Sequence, residues 1–286
     1  MGEILVVANR TVTGRKLLDA MLAHAADGQT TFNIVVPATP PSSGLVIYDD
    51  AVRASAQARV DLALSIFKDA GLAAGGEVGD PDPFMATMDA VAERRPDEII
   101  VSTHPAESSG WLRRDLIERI RNATGLPVEH VVTDVSGEGL PFHATLVVAN
   151  KTSTGEELIE RLQAKAAEDD ERHVFIAVVP LEDGSGTATR RAHARLHAML
   201  TRLHDAGLVA SGMIGDPDPY TAVMNALELF TVVDDIVIST LPDERSGWMR
   251  ANLVERVRSH TRAPVEHVVV PDSSSDSTAA ASGVAS

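Results

Sequence analysis

DEIIVSTHPAESSGWLRRDLIERIRNATGLPVEHVV (97–132) returns without a gap as DDIVISTLPDERSGWMRANLVERVRSHTRAPVEHVV (234–269), and 21 of the 36 positions are identical. Each copy opens and closes on a short, β-branched apolar run, which predicts a strand buried on both faces. Between the two runs lie a polar loop and an amphipathic stretch whose stripe, Trp111 or Leu112, Leu116, Ile117 and Ile120 in the first copy, predicts a helix with one apolar face. Strand, crossover helix and strand in that order make the unit of a parallel sheet.

Outward from this unit the rest of each repeat falls into place. Residues 4–8 form a buried strand, and Leu17, Leu18, Met21 and Leu22 line one face of the helix after Gly14. Residues 32–36 form a second strand stopped by Pro37, and a proline-rich loop over 38–50 leads to a helix from about 50 to 70 that Gly71 closes. A weaker strand ends at Gly79. Asp82 then caps a helix that Pro83 opens, and Ser108 or Ser109 caps the last helix. LVVANRTVTG (5–14) recurs as LVVANKTSTG (146–155), and Gly-Asp-Pro-Asp-Pro (79–83) recurs at 215–219. The expected fold class is therefore α/β: two tandem doubly wound domains, each a five-stranded parallel sheet of order 3-2-1-4-5 with helices on both faces. The expected boundaries are 1–134, a linker at 135–142, 143–270, and a small-residue polar tail at 271–286 that cannot bury a core and is expected to be disordered.

Composition narrows the chemistry. The 286 residues are 44% hydrophobic but only 3% aromatic, so the cores must be aliphatic. A formal net charge of −16 opposes binding to a nucleic-acid backbone, which needs an excess of Lys and Arg. The absence of cysteine removes disulfides, thiolate metal sites and cysteine nucleophiles together. The first ten residues run into a strand pattern unlike a signal peptide, and no apolar run approaches the ~20 residues of a membrane span. A cytoplasmic protein with neither nucleic-acid nor membrane partners is the expectation.

In a doubly wound sheet a ligand sits beyond the carboxyl ends of the strands, where the strand order reverses. Between the first and fourth strands that point brings Asn9, Arg10 and Thr11 opposite Ser102, Thr103 and His104, with Gly79 and Asp80 alongside. Ser109 and Gly110 open the last helix, whose free N–H groups favour an anion. Arg113 in its first turn is either an anion clamp or a surface ion-pair partner. The second copy offers Asn150, Lys151, Thr152, Gly215, Asp216, Ser239, Thr240, Leu241, Ser246, Gly247 and Arg250. Asn9 and Asn150 can bond a base or ribose, or close the local turn. Trp111 and Trp248 can pack on the sheet or stack on a base. Asp80, Asp82, Asp216 and Asp218 read as caps rather than a metal pair. His193 and His197 have the spacing of a zinc pair but no evident third ligand. A Walker lysine motif, HExxH and G-x-S-x-G are all missing, so no catalytic residue and no metal ligand is assigned.

The whole of each repeat resembles the universal stress protein family in a tandem two-domain form. The likeness rests on the first strand ending in a polar residue, Val-Val-Pro at 35–37 and 178–180, Gly-Asp-Pro at 79–81 and 215–217, Asp-Glu-Ile-Ile-Val at 97–101, and a final helix leading into Pro-Val. The resemblance implies an adenine-nucleotide-hydrolase-like fold in a regulatory protein with no chemistry of its own. ATP or AMP is the candidate ligand, and no cofactor is certain. It also implies that the last strand pairs with its equivalent. Residues 128–132 and 265–269 would then pair within one chain, hiding two sheet edges and placing Glu129, His130, Glu266 and His267 near a pseudo-twofold axis. Whole chains could also form a homodimer. The sequence departs from the ATP-binding pattern G-x2-G-x9-G followed by Ser or Thr. Ser102-Thr103 stands at the first glycine, and Arg114-Asp115 or Ala251-Asn252 at the last. Asn9 and Asn150 stand where an Asp is usual, and Glu107 and Glu244 would repel phosphate. These departures argue against tight triphosphate binding. A ligand-free interaction scaffold and an enzyme acting at an α-phosphate are the other two readings.

Overall fold

The computed structural model describes residues 2–26, 30–40, 49–105, 111, 115–168, 170–230, 232–242, 247–250 and 252–271. Its first sheet contains β1 (Gly2–Val7), β2 (Thr30–Pro37), β3 (Ala74–Gly79), β4 (Glu98–Thr103) and β5 (Val128–Val132), in the order β3-β2-β1-β4-β5. The second contains β6 (His143–Val148), β7 (His173–Pro180), β8 (Val209–Gly215), β9 (Asp235–Thr240) and β10 (Val265–Val269), in the order β10-β9-β6-β7-β8. Both sheets are parallel throughout and follow the expected 3-2-1-4-5 order.

The continuous apolar strands bury both faces because their pleat sends alternate residues to opposite layers. In the first sheet Ile4, Val6 and Ala8 meet α1 (Arg15–His24) and α2 (Asp49–Asp69) through Leu17, Met21, Ala63 and Phe67. Leu5 and Val7 meet α3 (Pro83–Arg94) and α4 (Leu116–Thr124) through Ala86, Leu116 and Ile120. The second domain repeats this. Val147 and Ala149 face α6 (Glu156–Ala166) and α7 (Gly186–Asp205), while Leu146 and Val148 face α8 (Pro219–Leu229) and α10 (Leu253–His260). A single turn, α5 (Val135–Glu138), lies in the 135–142 connection, and another, α9 (Gly247–Arg250), precedes α10. The expected start of the first domain's last helix at Ser108 or Ser109 lies outside the described residues.

The last helix is less simple than its apolar stripe suggests. Asp115 (φ 49°) and Asn252 (φ 53°) are left-handed immediately before α4 and α10. In the second domain this residue separates α9 from α10, so the stripe there spans two pieces. Asp and Asn carry the left-handed conformation at less cost than most residues.

The two domains pack within the chain, but not through their last strands. β5 pairs with β4 alone and β10 with β9 alone, each at an outer edge of a separate sheet. The domains meet through α2, which is covered on two sides. Val60 and Phe67 face the first sheet, while Asp61, Leu62 and Ser65 face β8. The apolar layer of α1 and α2 is thereby continuous with that of α8 and α10. Arg172 pairs with Asp69 at 2.6 Å and donates to the Ser65 hydroxyl at 3.0 Å, and Arg10 donates to the Glu228 carbonyl at 3.2 Å. Strand order explains the correction: third and fifth strands occupy opposite edges of a 3-2-1-4-5 sheet, so docking against β8 leaves β10 on the far side. Glu129, His130 and Glu266 accordingly bond within their own domains, to His24, Thr103 and Arg161.

Candidate functional site

In the second domain the carboxyl ends of β6 and β9 open onto a cavity of about 410 Å³. Asn150, Lys151 and Thr152 line one side, Ser239, Thr240 and Leu241 the other, and Glu182, Pro217, Gly247 and Trp248 the mouth. Small-ligand sites fall in a range of roughly 300–1,000 Å³. The strand order places these residues together because β6 and β9 are neighbours whose connections leave in opposite directions.

Most polar groups here are held from within the fold. The Thr152 hydroxyl donates to the Ser239 carbonyl at 3.1 Å, clamping the loop after β6 to β9. Thr240 Oγ1 lies 2.8 Å from His267 Nε2 and bonds the Leu241 carbonyl at 2.9 Å. Asn150 Nδ2 donates to the Pro180 carbonyl at 3.0 Å, and its Oδ1 accepts from Arg195 at 2.7 Å. Arg195 also pairs with Glu182 at 2.9 Å, and that hydrogen bond holds the Glu182 carboxyl below its ordinary range. The Ser239 hydroxyl differs: it is buried with no partner. In the first domain the equivalent Ser102 Oγ meets Thr133, and the second domain has Val270 at that place, so the missing partner lies where Val270 packs against Gly155 and not in the cavity.

The first domain repeats the framework. Thr11 donates to the Ser102 carbonyl at 3.2 Å, Ser102 Oγ lies 3.3 Å from Thr133 Oγ1, and Thr103 Oγ1 lies 2.9 Å from His130 Nε2. Asn9 Nδ2 donates to Thr39 Oγ1 at 3.1 Å, while its Oδ1 is buried and bare. His104 is held below the ordinary imidazole range by burial and by Arg10, with Asp134 acting the other way. Ser109, Gly110, Arg113 and Ser246, and the side chain of Arg250, lie outside the described residues.

Two predicted groups have a clear packing role. A Cβ on Gly79 would lie 2.7 Å from both Ala86 Cβ and Val35 Cγ1, and one on Gly215 2.6 Å from Ala222 Cβ. These glycines let α3 and α8 close onto their sheets. Asp80 and Asp216 accept from the Asp82 and Asp218 amides at 2.8 Å, and Asp82 and Asp218 cap α3 and α8. Trp111 and Trp248 both pack against core residues, and Trp248 also borders the cavity.

One cluster was not foreseen. His24, Glu98 and Glu129 bring three ligand atoms within 4.8 Å of one another. The ring stands between two carboxylates, Nε2 2.6 Å from Glu129 and Nδ1 3.8 Å from Glu98. These groups could hold a divalent cation. The repeat carried a signal for it: counting from Gly14 and Gly155, His24 corresponds to Lys165, which lies 3.1 Å from Asp235 and 3.7 Å from Glu266. Two carboxylates around one basic side chain is thus a feature of both domains. His193 and His197 join no three-ligand cluster among the described residues.

No family model and no curated protein matches the sequence. Among solved structures, the chain is similar to a protein of the universal stress protein family from Burkholderia pseudomallei, at 18% identity and a TM-score of 0.33 over 46% of this chain and 98% of that one. It is also similar to a universal stress protein from Archaeoglobus fulgidus, at 16% identity and a TM-score of 0.35 over 95% and 97% of the two chains. The architecture described above rests on the chain's own strand order and register rather than on these likenesses. Among the described residues, no helix is long and apolar enough to cross a membrane.

Proposed function

We propose that the chain is a cytoplasmic regulatory protein of universal stress type that binds an adenine-type ligand in the second-domain crevice and performs no chemistry on it. The observation that carries this reading is the 410 Å³ cavity at the strand-order switch, with Asn150, Lys151, Thr152 and Thr240 among its lining residues. Lys151 and the ionised Glu182 put opposite charges at its rim. Glu182 is taken up by Arg191 and Arg195, and Lys151 is the one cation among the described lining residues, which suits the single phosphate of AMP better than a triphosphate. The Thr240 hydroxyl in the lining donates to the Leu241 carbonyl, so the His267 imidazole beside it donates to that oxygen rather than taking its proton, which supports a binding role over hydrolysis. Ligand occupancy would act on how domains or chains associate. A second copy of the chain, forming a homodimer, would add at the outward edges β5 and β10, where Val132 and Val269 are 38% and 45% exposed.

Calorimetry with AMP, ADP, ATP and cyclic AMP tests the reading, with product analysis after each titration. AMP is expected to bind, unchanged on recovery, and Lys151→Ala to weaken it by roughly 10-fold, the worth of one hydrogen bond to a charged group. No heat with any nucleotide would leave the ligand-free scaffold, and product formation would restore the enzyme.

A further inference from the structure

Arg59 lies in the middle of α2, 2% exposed, and its Nε, Nη1 and Nη2 all lack a hydrogen-bond partner. It lines a cavity of about 20 Å³ between the domains, together with Arg10, Thr13, Leu62, Phe142 and Phe230. No carboxylate is among the described lining residues. Burial and the neighbouring charge of Arg10 push the guanidinium down to about 9, which leaves it cationic at neutral pH. An unpaired buried charge is among the most unfavourable features a fold can carry, and such groups are normally paired.

The second repeat shows what this position ordinarily does. Counting from Asp69 and Asp205, Arg59 corresponds to Arg195. Arg195 bonds Asn150 Oδ1 at 2.7 Å and the Glu182 carboxylate at 2.9 Å. In the first domain Asn9 is present, but its Oδ1 is bare, and Thr39 occupies the place of Glu182, two residues beyond the strand-ending proline. The backbones match there: Ala38 and Leu181 donate to Gly79 and Gly215 in the same way. The first domain therefore has the arginine without an equivalent carboxylate beside it among the described residues.

We propose that the cavity beside Arg59 binds a small monovalent anion of halide size, chloride in solution, which supplies the negative charge that Glu182 supplies in the second domain. The volume sets the size limit. A water needs roughly 10–15 Å³ of such space, so about 20 Å³ admits one compact ion and excludes sulfate, phosphate and any nucleotide. Arg10, anchored on the Glu228 carbonyl across the domain boundary, brings a second positive charge to the same cavity. The ion would thus tie the first-domain helix to the second domain.

The test is thermal unfolding of the whole chain at constant ionic strength, with sodium chloride exchanged for sodium gluconate, whose anion is too large to enter. For the wild type, replacing gluconate by 0.3 M chloride is expected to raise Tm by roughly 3–5 °C, as binding to the native state alone requires. Arg59→Met removes the charge and should fold with a Tm that no longer distinguishes the two salts. Crystals of the wild type grown in bromide provide a readout independent of any variant: an anomalous peak is expected within hydrogen-bonding reach of the Arg59 guanidinium. Equal Tm values in the two salts, or a bromide map with no peak beside Arg59, would overturn the proposal and leave the cavity to water.

Discussion

His130, within β5, and His104, just past β4, illustrate how single side chains set the acid response. Burial holds both below the ordinary imidazole range, with Arg121 adding to the effect on His130 and Arg10 to that on His104. The sign follows directly. Above the unfolded value of about 6.5 both states are neutral and stability is unaffected; below it the unfolded chain takes up protons that the native chain refuses. Stability is therefore full above pH ~6.5 and falls as the pH drops from there toward the native values. Tm measured across pH 5–8 should show this decline, and His130→Gln should flatten it. A Tm unaffected by that substitution across the range would remove the assignment. Not every such residue was visible in the sequence. The Asn9 and Asn150 positions and the aspartate caps were, because each lies at a recognisable strand or helix end. Arg59 and His24 were not, since each depends on contacts between elements distant in the chain.

Among the elements, close helix–sheet approach is what the glycines before α3 and α8 secure. Gly215→Ala would bring a methyl to 2.6 Å from Ala222 Cβ and 3.1 Å from Val178 Cγ1. Overpacking of this kind costs about 1–3 kcal/mol, so urea unfolding should show that loss, while the exposed Gly186→Ala control should not. Unchanged stability for Gly215→Ala would mean that α8 yields freely. Strand identity and order were legible here because β-branched runs, their helical crossovers and the duplication all pointed one way. The division of the last helix at Asp115 and Asn252 was not, because the apolar spacing stays helical through a residue whose backbone turns left-handed.

For the molecule as a whole, the decisive element is α2, which serves two cores. Leu62 is 3% exposed and borders both the Arg59 cavity and the groove against β8. Leu62→Ala should cost roughly 2–5 kcal/mol. Leu62→Arg should go further and uncouple the halves, turning one unfolding transition into two by calorimetry. A single unshifted transition in Leu62→Arg would show that the domains do not depend on this contact. The duplication revealed two domains but not how they dock. That choice lies in which faces of a shared fold carry surplus apolar surface, and a helix buried on two sides reads in sequence as an ordinary core helix. The last strands, whose identical Val-Glu-His-Val-Val suggested the joint, are instead left outward.

The central claim is that the second-domain crevice takes an adenine-type ligand. Trp248 borders that cavity, and Trp111 is the chain's other tryptophan. Substituting Trp111→Phe leaves Trp248 as the single reporter, and its fluorescence during an AMP titration reads the site directly. The account predicts a saturable change in emission that Lys151→Ala shifts to higher AMP concentration. Emission that stays constant up to millimolar AMP, in a chain that remains folded, would contradict it.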